Sequence, residues 1–224
     1  MTDYRHEWKI ELSQQDLLIL RQRLRCVLKP DAHAVNGRYL IRSLYFDTPE
    51  DRALREKIDG VSRREKFRIR YYNGNTSCIH LEKKSKIAGL GRKDMAELTA
   101  QQAQAIVDGN LAWMAEETQP LITELYGKMR AQRLRSRTIV DYTREPFVYG
   151  PGNVRVTLDY NIRTGLSCTD FLNTGCPTIA VPDDPAILEV KWDAYLPDVV
   201  RQIVQLPGRH VGAFSKYAAC RMYD

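Results

Sequence analysis

An α+β chain built on a closed antiparallel β-barrel, with helices packed outside and a helix at its C-terminus, is the fold class this sequence predicts. Three observations carry the expectation. Several segments alternate with period two, ionic on one face and apolar on the other. Capped helical stretches separate them, and the ionic faces are dominated by Arg and Lys with a carboxylate often two residues away.

The first strand is Arg5-His6-Glu7-Trp8-Lys9-Ile10-Glu11-Leu12, where Arg5, Glu7, Lys9 and Glu11 share a face opposite His6, Trp8, Ile10 and Leu12. Ser13 followed by Asp16 then reads as a helix cap before Leu17, Leu18, Leu20 and Leu24, with the helix ending before Lys29-Pro30. Strands follow over 39–47 and 64–72, the second closed by Asn73-Gly74-Asn75, and 77–86 pairs back as a hairpin. Lys66, Arg68 and Arg70 share one face of that hairpin, with His80, Glu82, Lys84 and Lys86 in phase on the return strand. Gly89-Leu90-Gly91 reads as a flexible turn.

Thr99 caps a helix over 100–107, Gly109 stops it, and Pro120 opens another over 121–129. Two strands return around the turn Gly150-Pro151-Gly152: 137–144 places Val140, Tyr142 and Arg144 in phase, and 154–161 does so for Arg155, Thr157, Asp159 and Asn161. A strand over 186–192 carries Glu189 and Lys191 on one face. A helix from Pro197 to about Leu206 and a short one over 215–220 close the chain.

The 224 residues fit one domain, 1–224, and 43% hydrophobic with 28% charged residues is globular rather than disordered composition. No run of about 18 apolar residues and no signal-peptide pattern is present, so the expected location is cytoplasmic. Cys26, Cys78, Cys168, Cys176 and Cys220 lack metal-ligand spacing and read as reduced, buried thiols. The net charge of +6 points to a polyanionic partner without naming it.

One ionic strand face is ordinarily a solvated face. The same pattern on strand after strand fits a barrel that packs its apolar outside under helices and lines its lumen with charge. Buried cations are tolerated only when an anion or water neutralises them, so the pattern predicts a wet, cationic tunnel for a polyanion. Arg holds phosphate oxygens bidentately, Lys adds point charge, and a few carboxylates suffice for Mg2+ or Mn2+. The matching chemistry is in-line phosphoryl transfer without a protein nucleophile. His6-Glu7 lacks the second histidine of a zinc-protease helix, and no P-loop or nucleophile motif occurs. Trp8, Phe67, Tyr71 and Trp192 fall out of phase with the cations, which argues against nucleic acid as partner.

The chain resembles the VTC (vacuolar transporter chaperone) domain of polyphosphate polymerases, within the triphosphate tunnel metalloenzyme or CYTH-like superfamily. The resemblance rests on Arg5-x-Glu7-x-Lys9, Ser43-Leu44-Tyr45-Phe46-Asp47-Thr48, Lys66-x-Arg68-x-Arg70, Leu81-Glu82-Lys83-Lys84, Tyr142-x-Arg144, Arg155-x-Thr157-x-Asp159, Glu189-x-Lys191 and Ser215-Lys216-Tyr217. It implies a barrel of about eight strands and transfer of the ATP γ-phosphate to a growing inorganic polyphosphate chain, with Mn2+ or Mg2+. A tripolyphosphate or nucleoside-triphosphate hydrolase, or a non-catalytic polyphosphate or nucleotide sensor, are the alternatives of the same fold. Carried over by motif, Lys9, Arg68, Arg70, Lys84, Arg144, Arg155 and Lys216 grip phosphates, and Lys191, with Arg92 or Lys93, is a lesser candidate. Glu189 holds the metal, with Glu7 beside it. Arg5 stands where the superfamily often has glutamate, which favours the VTC branch over a two-metal hydrolase. Polyphosphate made by such a domain needs a separate membrane protein to cross a membrane.

Overall fold

The computed structural model describes residues 5–222, and the alternation read along the chain becomes one antiparallel sheet of ten strands. The chain order is β1 (His6–Leu12), α1 (Gln14–Val27), β2 (Lys29–Pro30), β3 (Tyr39–Asp47), α2 (Arg52–Ile58), β4 (Arg63–Tyr72), β5 (Ile79–Ile87), β6 (Leu90–Leu98), α3 (Ala100–Val107), α4 (Pro120–Ala131), β7 (Arg135–Tyr149), β8 (Val154–Thr164), β9 (Ile179–Ala180), β10 (Ala186–Trp192), α5 (Asp198–Ile203) and α6 (Lys216–Ala219). Eight strands form the continuous path β1-β10-β8-β7-β3-β4-β5-β6, and the two-residue strands β2 and β9 hang on β7 and β8. The path curls until its ends approach. The Arg5 amide donates to the Gly91 carbonyl, and Val211 and Gly212 run along β1, with the Gly212 amide 2.7 Å from the Lys9 carbonyl.

The helices form where their caps are. Ser13 Oγ accepts from the Asp16 amide while the Asp16 carboxylate accepts from the Ser13 amide, and Thr99 and Gln102 repeat the device at α3. Each cap contributes about 1 kcal/mol. α1 lays Leu17, Leu20 and Leu24 on the outer face of β1, β10 and β8, against Leu188, Val190 and Val156. α3, α4 and the 3-10 turn Ala112–Ala115 between them cover the outer face of β4, β5 and β6, where Phe67, Ile69, Leu81 and Leu98 meet Ile106, Leu125 and Met114. Apolar-outside packing is thus observed.

A third cluster lies on the inner face. Ile41, Tyr45, Val140, Tyr142, Ile162 and Ile187 pack around Tyr217 of α6, so the interior is part apolar plug and part ionic cavity rather than ionic throughout. Asp47 anchors the plug, accepting the Tyr217 hydroxyl at 2.7 Å and the amides of Ala53 and Leu54 at 2.8 and 3.1 Å.

Several boundaries differ from the sequence reading. The flexible turn at 89–91 is the tip of a hairpin whose second strand is β6, so Arg92 and Lys93 sit in a strand. β6 escaped notice because only Met95, Glu97 and the buried Ala96 and Leu98 give it alternation. α2 also escaped, because its cap comes from Asp47 upstream and not from Asp51, which adopts left-handed φ of 56° with no side-chain cap bond. β7 runs on through Pro146 to Tyr149, and α5 is shorter than expected, Pro197 preceding it. Asn161 does not continue the phase of Arg155, Thr157 and Asp159: at φ 52° it is an exposed bulge residue, after which Ile162 turns inward. Cys26 and Cys78 are exposed, while Cys176 and Cys220 are buried and Cys168 half-buried, so the buried-thiol reading fails for two of the five. Among the described residues no helix is long and apolar enough to cross a membrane.

Candidate functional site

Period-two geometry turns Glu7 and Lys9 of β1, Lys66, Arg68 and Arg70 of β4, Glu82 and Lys84 of β5, Arg144 of β7, Arg155 and Thr157 of β8, and Glu189 and Lys191 of β10 to the inside of the curled sheet. Lys216 joins them from α6. Together they line a cavity of about 370 Å³. Lys9, Arg68, Arg70, Lys84, Arg144, Arg155, Lys191, Lys216, Glu189 and Glu7, named from the sequence, therefore converge on one space. Lys84 of β5 reaches Glu7 of β1 at 2.9 Å, although the two strands lie near opposite ends of the strand path. Lys93 stands opposite Lys84, and Arg92, which pairs with Asp94 at 2.6 Å, also lines the cavity.

Three carboxylates organise the cations. Asp159, fully buried, takes Arg144 through two bonds of 2.6 and 2.7 Å and the Lys216 ammonium at 2.6 Å. Glu82, also buried, takes Arg68 Nε at 2.7 Å and Lys93 at 3.3 Å, with Arg70 Nη1 3.7 Å away. Glu189 pairs with Lys191 and lies 3.5 Å from Arg144. Burial by itself would raise all three acids. The adjacent cations win and hold them below the usual carboxylate range: Arg144 and Lys216 at Asp159, Arg68 and Arg70 at Glu82, and Lys191, Lys9 and Arg144 at Glu189.

Tyrosines fill the spaces between guanidinium groups. Arg68 Nη1 donates to the Tyr45 hydroxyl at 2.7 Å, and Arg70 donates to Ser43 Oγ at 2.8 Å and to the Tyr142 hydroxyl at 3.0 Å. Lys216 stands 4.7 Å over the Tyr142 ring. Burial raises the Tyr45 phenol, but Arg68, Lys66 and Arg70 overcome it and bring it to about 7. Arg155 is more loosely held, with Nη2 2.9 Å from Asp31 and a buried Nε that has no partner.

The lysines divide into two kinds. Burial disfavours the charge on Lys9, yet Glu189 and Glu7 more than compensate and its affinity for a proton rises. Lys84 is pushed down to about 7 by burial and by Lys9 and Lys191, and Lys66 to about 8 by burial with Lys9 and Arg68 against it. At neutral pH the cavity therefore holds more cations than its carboxylates satisfy.

Sequence motifs placed Ser43, Tyr45, Tyr142, Thr157 and Asp159 in the family pattern without giving them roles, and Glu82 only as a reserve metal ligand after Glu189. Their in-phase positions beside named cations were the available signal. For a divalent cation the donor set is thin: among the described residues no three Asp, Glu, His or Cys groups converge. Glu189 and Glu7 nevertheless face one cavity, and beside Glu189 in register the buried Thr157 Oγ1 has no hydrogen-bond partner. Two carboxylates and a hydroxyl fit an ion such as Mg2+ that keeps waters and phosphate oxygens as its remaining ligands.

A family model of the VTC domain matches residues 4–223. No curated protein sequence matches the chain. Among solved structures, a candidate adenylyl cyclase from Hippeastrum, described as having a dominant triphosphatase activity, superimposes with TM-score 0.55 at 16% identity over 96% of this chain and 94% of its own. A candidate adenylate cyclase from Bacillus halodurans gives TM-score 0.53 at 15% identity over 85% of this chain and 81% of its own. At such identities the likeness concerns the fold.

Proposed function

The chain belongs to the VTC-domain family, and we propose that it is a polyphosphate polymerase that transfers the ATP γ-phosphate to a growing inorganic polyphosphate chain inside a closed tunnel. Triphosphate handling is what its family and fold have in common with its structural relatives. One observation supports the finer reading: eight cations distant in sequence, seven from strands and Lys216 from α6, namely Lys9, Arg68, Arg70, Lys84, Arg144, Arg155, Lys191 and Lys216, line one cavity of about 370 Å³, as a ligand carrying many phosphate charges requires.

The terminal phosphate oxygen of the acceptor chain attacks the γ-phosphorus, the bond from that phosphorus to the β-bridging oxygen breaks, and ADP leaves. The acceptor is already an oxyanion, so no base is needed. Arg144 and Lys216, fixed by Asp159, Arg68, fixed by Glu82, and Arg70, fixed by Ser43 and Tyr142, hold phosphate oxygens in line without reorganising. Lys84 and Lys66 gain full charge as the anion enters and offset the charge of the transferring group. Glu189 and Glu7 would hold Mg2+ or Mn2+, which when bound neutralises phosphate charge. Displacement of Lys191 from between the two carboxylates is the rearrangement this requires.

Incubation with ATP and Mn2+ is expected to yield polyphosphate that grows in length. Orthophosphate without growth would replace the polymerase by a hydrolase, and binding without turnover would leave a sensor. Glu189→Gln is expected to abolish turnover and spare metal-free tripolyphosphate binding; wild-type turnover in that variant would exclude Glu189 as the metal ligand.

A further inference from the structure

Lys83, on the outer face of β5, is matched with two carboxylates, but a group of cations inside the curl is not. A small cavity of about 100 Å³ shares Lys9, Lys66 and Lys84 with the main one and extends beyond it to Lys57 of α2 and Arg64 of β4, with Lys86 on the common wall. Lys57, Arg64 and Lys86 are all half-buried, and none pairs with a carboxylate among the described residues. Arg64 donates only to the Val61 carbonyl. Burial, then Arg64, Lys9 and Lys86, push the Lys57 ammonium below its ordinary value. Ala53 and residues 212–215 complete the wall together with Glu7 and Glu65, whose charges are already taken, by Lys84 and by Lys83 and Lys128 respectively.

Half-buried cations that repel one another cost stability unless an anion completes them. Their cavity opens from the phosphate cavity itself, so an anion reaching Lys57 and Arg64 is continuous with one lying along Lys84. We propose that Lys57 and Arg64, with Lys86, form a distal subsite for the phosphates of a long chain whose end is held in the main cavity, and that this subsite makes the protein discriminate chain length. The inference rests on the phosphate-chain reading above. Tripolyphosphate, held by the main cavity, is too short to depend on the subsite.

The test compares binding of tripolyphosphate and of a size-fractionated long-chain polyphosphate by calorimetry, without metal. The wild type is expected to bind the long chain about tenfold more tightly, the gain of roughly one charge-assisted contact. The double variant K57A/R64A is expected to keep its tripolyphosphate affinity and to melt no lower than the wild type while losing that advantage. R25A/R201A removes equal charge from exposed helix positions lining neither cavity and is expected to retain it. A long-chain advantage surviving in K57A/R64A would overturn the subsite alone; failure of the wild type to bind tripolyphosphate would overturn the phosphate-chain reading and the subsite with it. Saturating orthophosphate should leave the advantage in place. Its loss to orthophosphate would mark a site for free phosphate instead of the distal chain, and would equally overturn the proposal.

Discussion

Lys83 and Lys84 are adjacent in sequence, and β5 sends them to opposite sides of the sheet. Outside, Lys83 sits over the Phe67 ring and between Glu65 and Glu124, at 3.2 Å from the first. Burial works against its charge, but the bonds to Glu124 and Glu65 prevail and its pKa rises. Inside, Lys84 meets Glu7 yet also faces Lys9 and Lys191, and it titrates near 7. The same residue type is a completed ion pair on one face and an incomplete one on the other. What the comparison teaches is that the charge of this protein is not distributed for stability: the outer face closes its electrostatics within the chain, and the inner face leaves part of it to be closed by something else.

The contrast is broken most severely at the carboxylates that hold the inner face together. Asp159→Asn leaves Arg144 and Lys216 facing each other with only Glu189 nearby, and is expected to cost about 3–5 kcal/mol in denaturant unfolding, the usual consequence of halving a buried ion pair. A loss under about 1 kcal/mol would mean that water already screens these cations. Arg68 and Arg70 carry a related correction. Side chains read from sequence as pointing into solvated space are tied into the interior, Arg68 to buried Glu82 and Arg70 to Ser43 and Tyr142, so alanine at either position is expected to lower stability as well as phosphate affinity.

Lys84→Met should behave oppositely. It removes a repelled cation, so the apo protein is expected to melt no lower than wild type, while tripolyphosphate binding weakens about tenfold or more. A drop in melting temperature with unchanged affinity would make Lys84 a structural partner of Glu7.

How far all this was legible before the structure can be judged from the same residues. Period-two phase put Lys84 and Arg68 on the lumen face and Lys83 and Phe67 outside, because a strand offers only two directions and apolar residues occupied one. Caps at Ser13 and Thr99 likewise declared α1 and α3. Phase could not reveal where Lys84's charge would be satisfied, since Glu7 lies 77 residues away and meets it only after the sheet curls. Nor could it reveal the bulge at Asn161, the α2 cap from Asp47, or the apolar plug around Tyr217, each of which depends on partners remote in sequence.

Acidity offers a milder way to sharpen the contrast. Lys84 titrates near 7 and Lys66 near 8, below the ordinary 10.5, so the unfolded chain binds more protons than the folded one in that interval. These two groups therefore make the apo protein more stable as pH rises from about 7 toward 10.5, whereas the raised Lys83 withdraws stability only above that range. Polyanion binding should take up protons between pH 7 and 9 and weaken as pH climbs, which calorimetry in buffers of different ionisation enthalpy measures directly. Proton release would reverse the assignment. The smallest effect is expected of Lys83→Met, within about 1 kcal/mol and with unaltered tripolyphosphate affinity, since its partners remain half-exposed. A tenfold loss of affinity there would join the two faces functionally.

The order of strands has a consequence for the making of the protein. β1, made before every other strand of the sheet, pairs with β10, His6 opposite Trp192, and α6 enters the curl later still. Lys9 and Glu7 wait for Glu189, Lys191 and Lys216, a delay of about 10–40 s at ordinary elongation rates of about 5–20 residues/s. Through that interval β1 is an unpaired edge with Trp8 and Ile10 uncovered, the state in which strands recruit the wrong neighbour. Its alternate charges, Glu7, Lys9 and Glu11, then serve a purpose apart from the finished cavity: they make that edge a poor template until its own partner arrives.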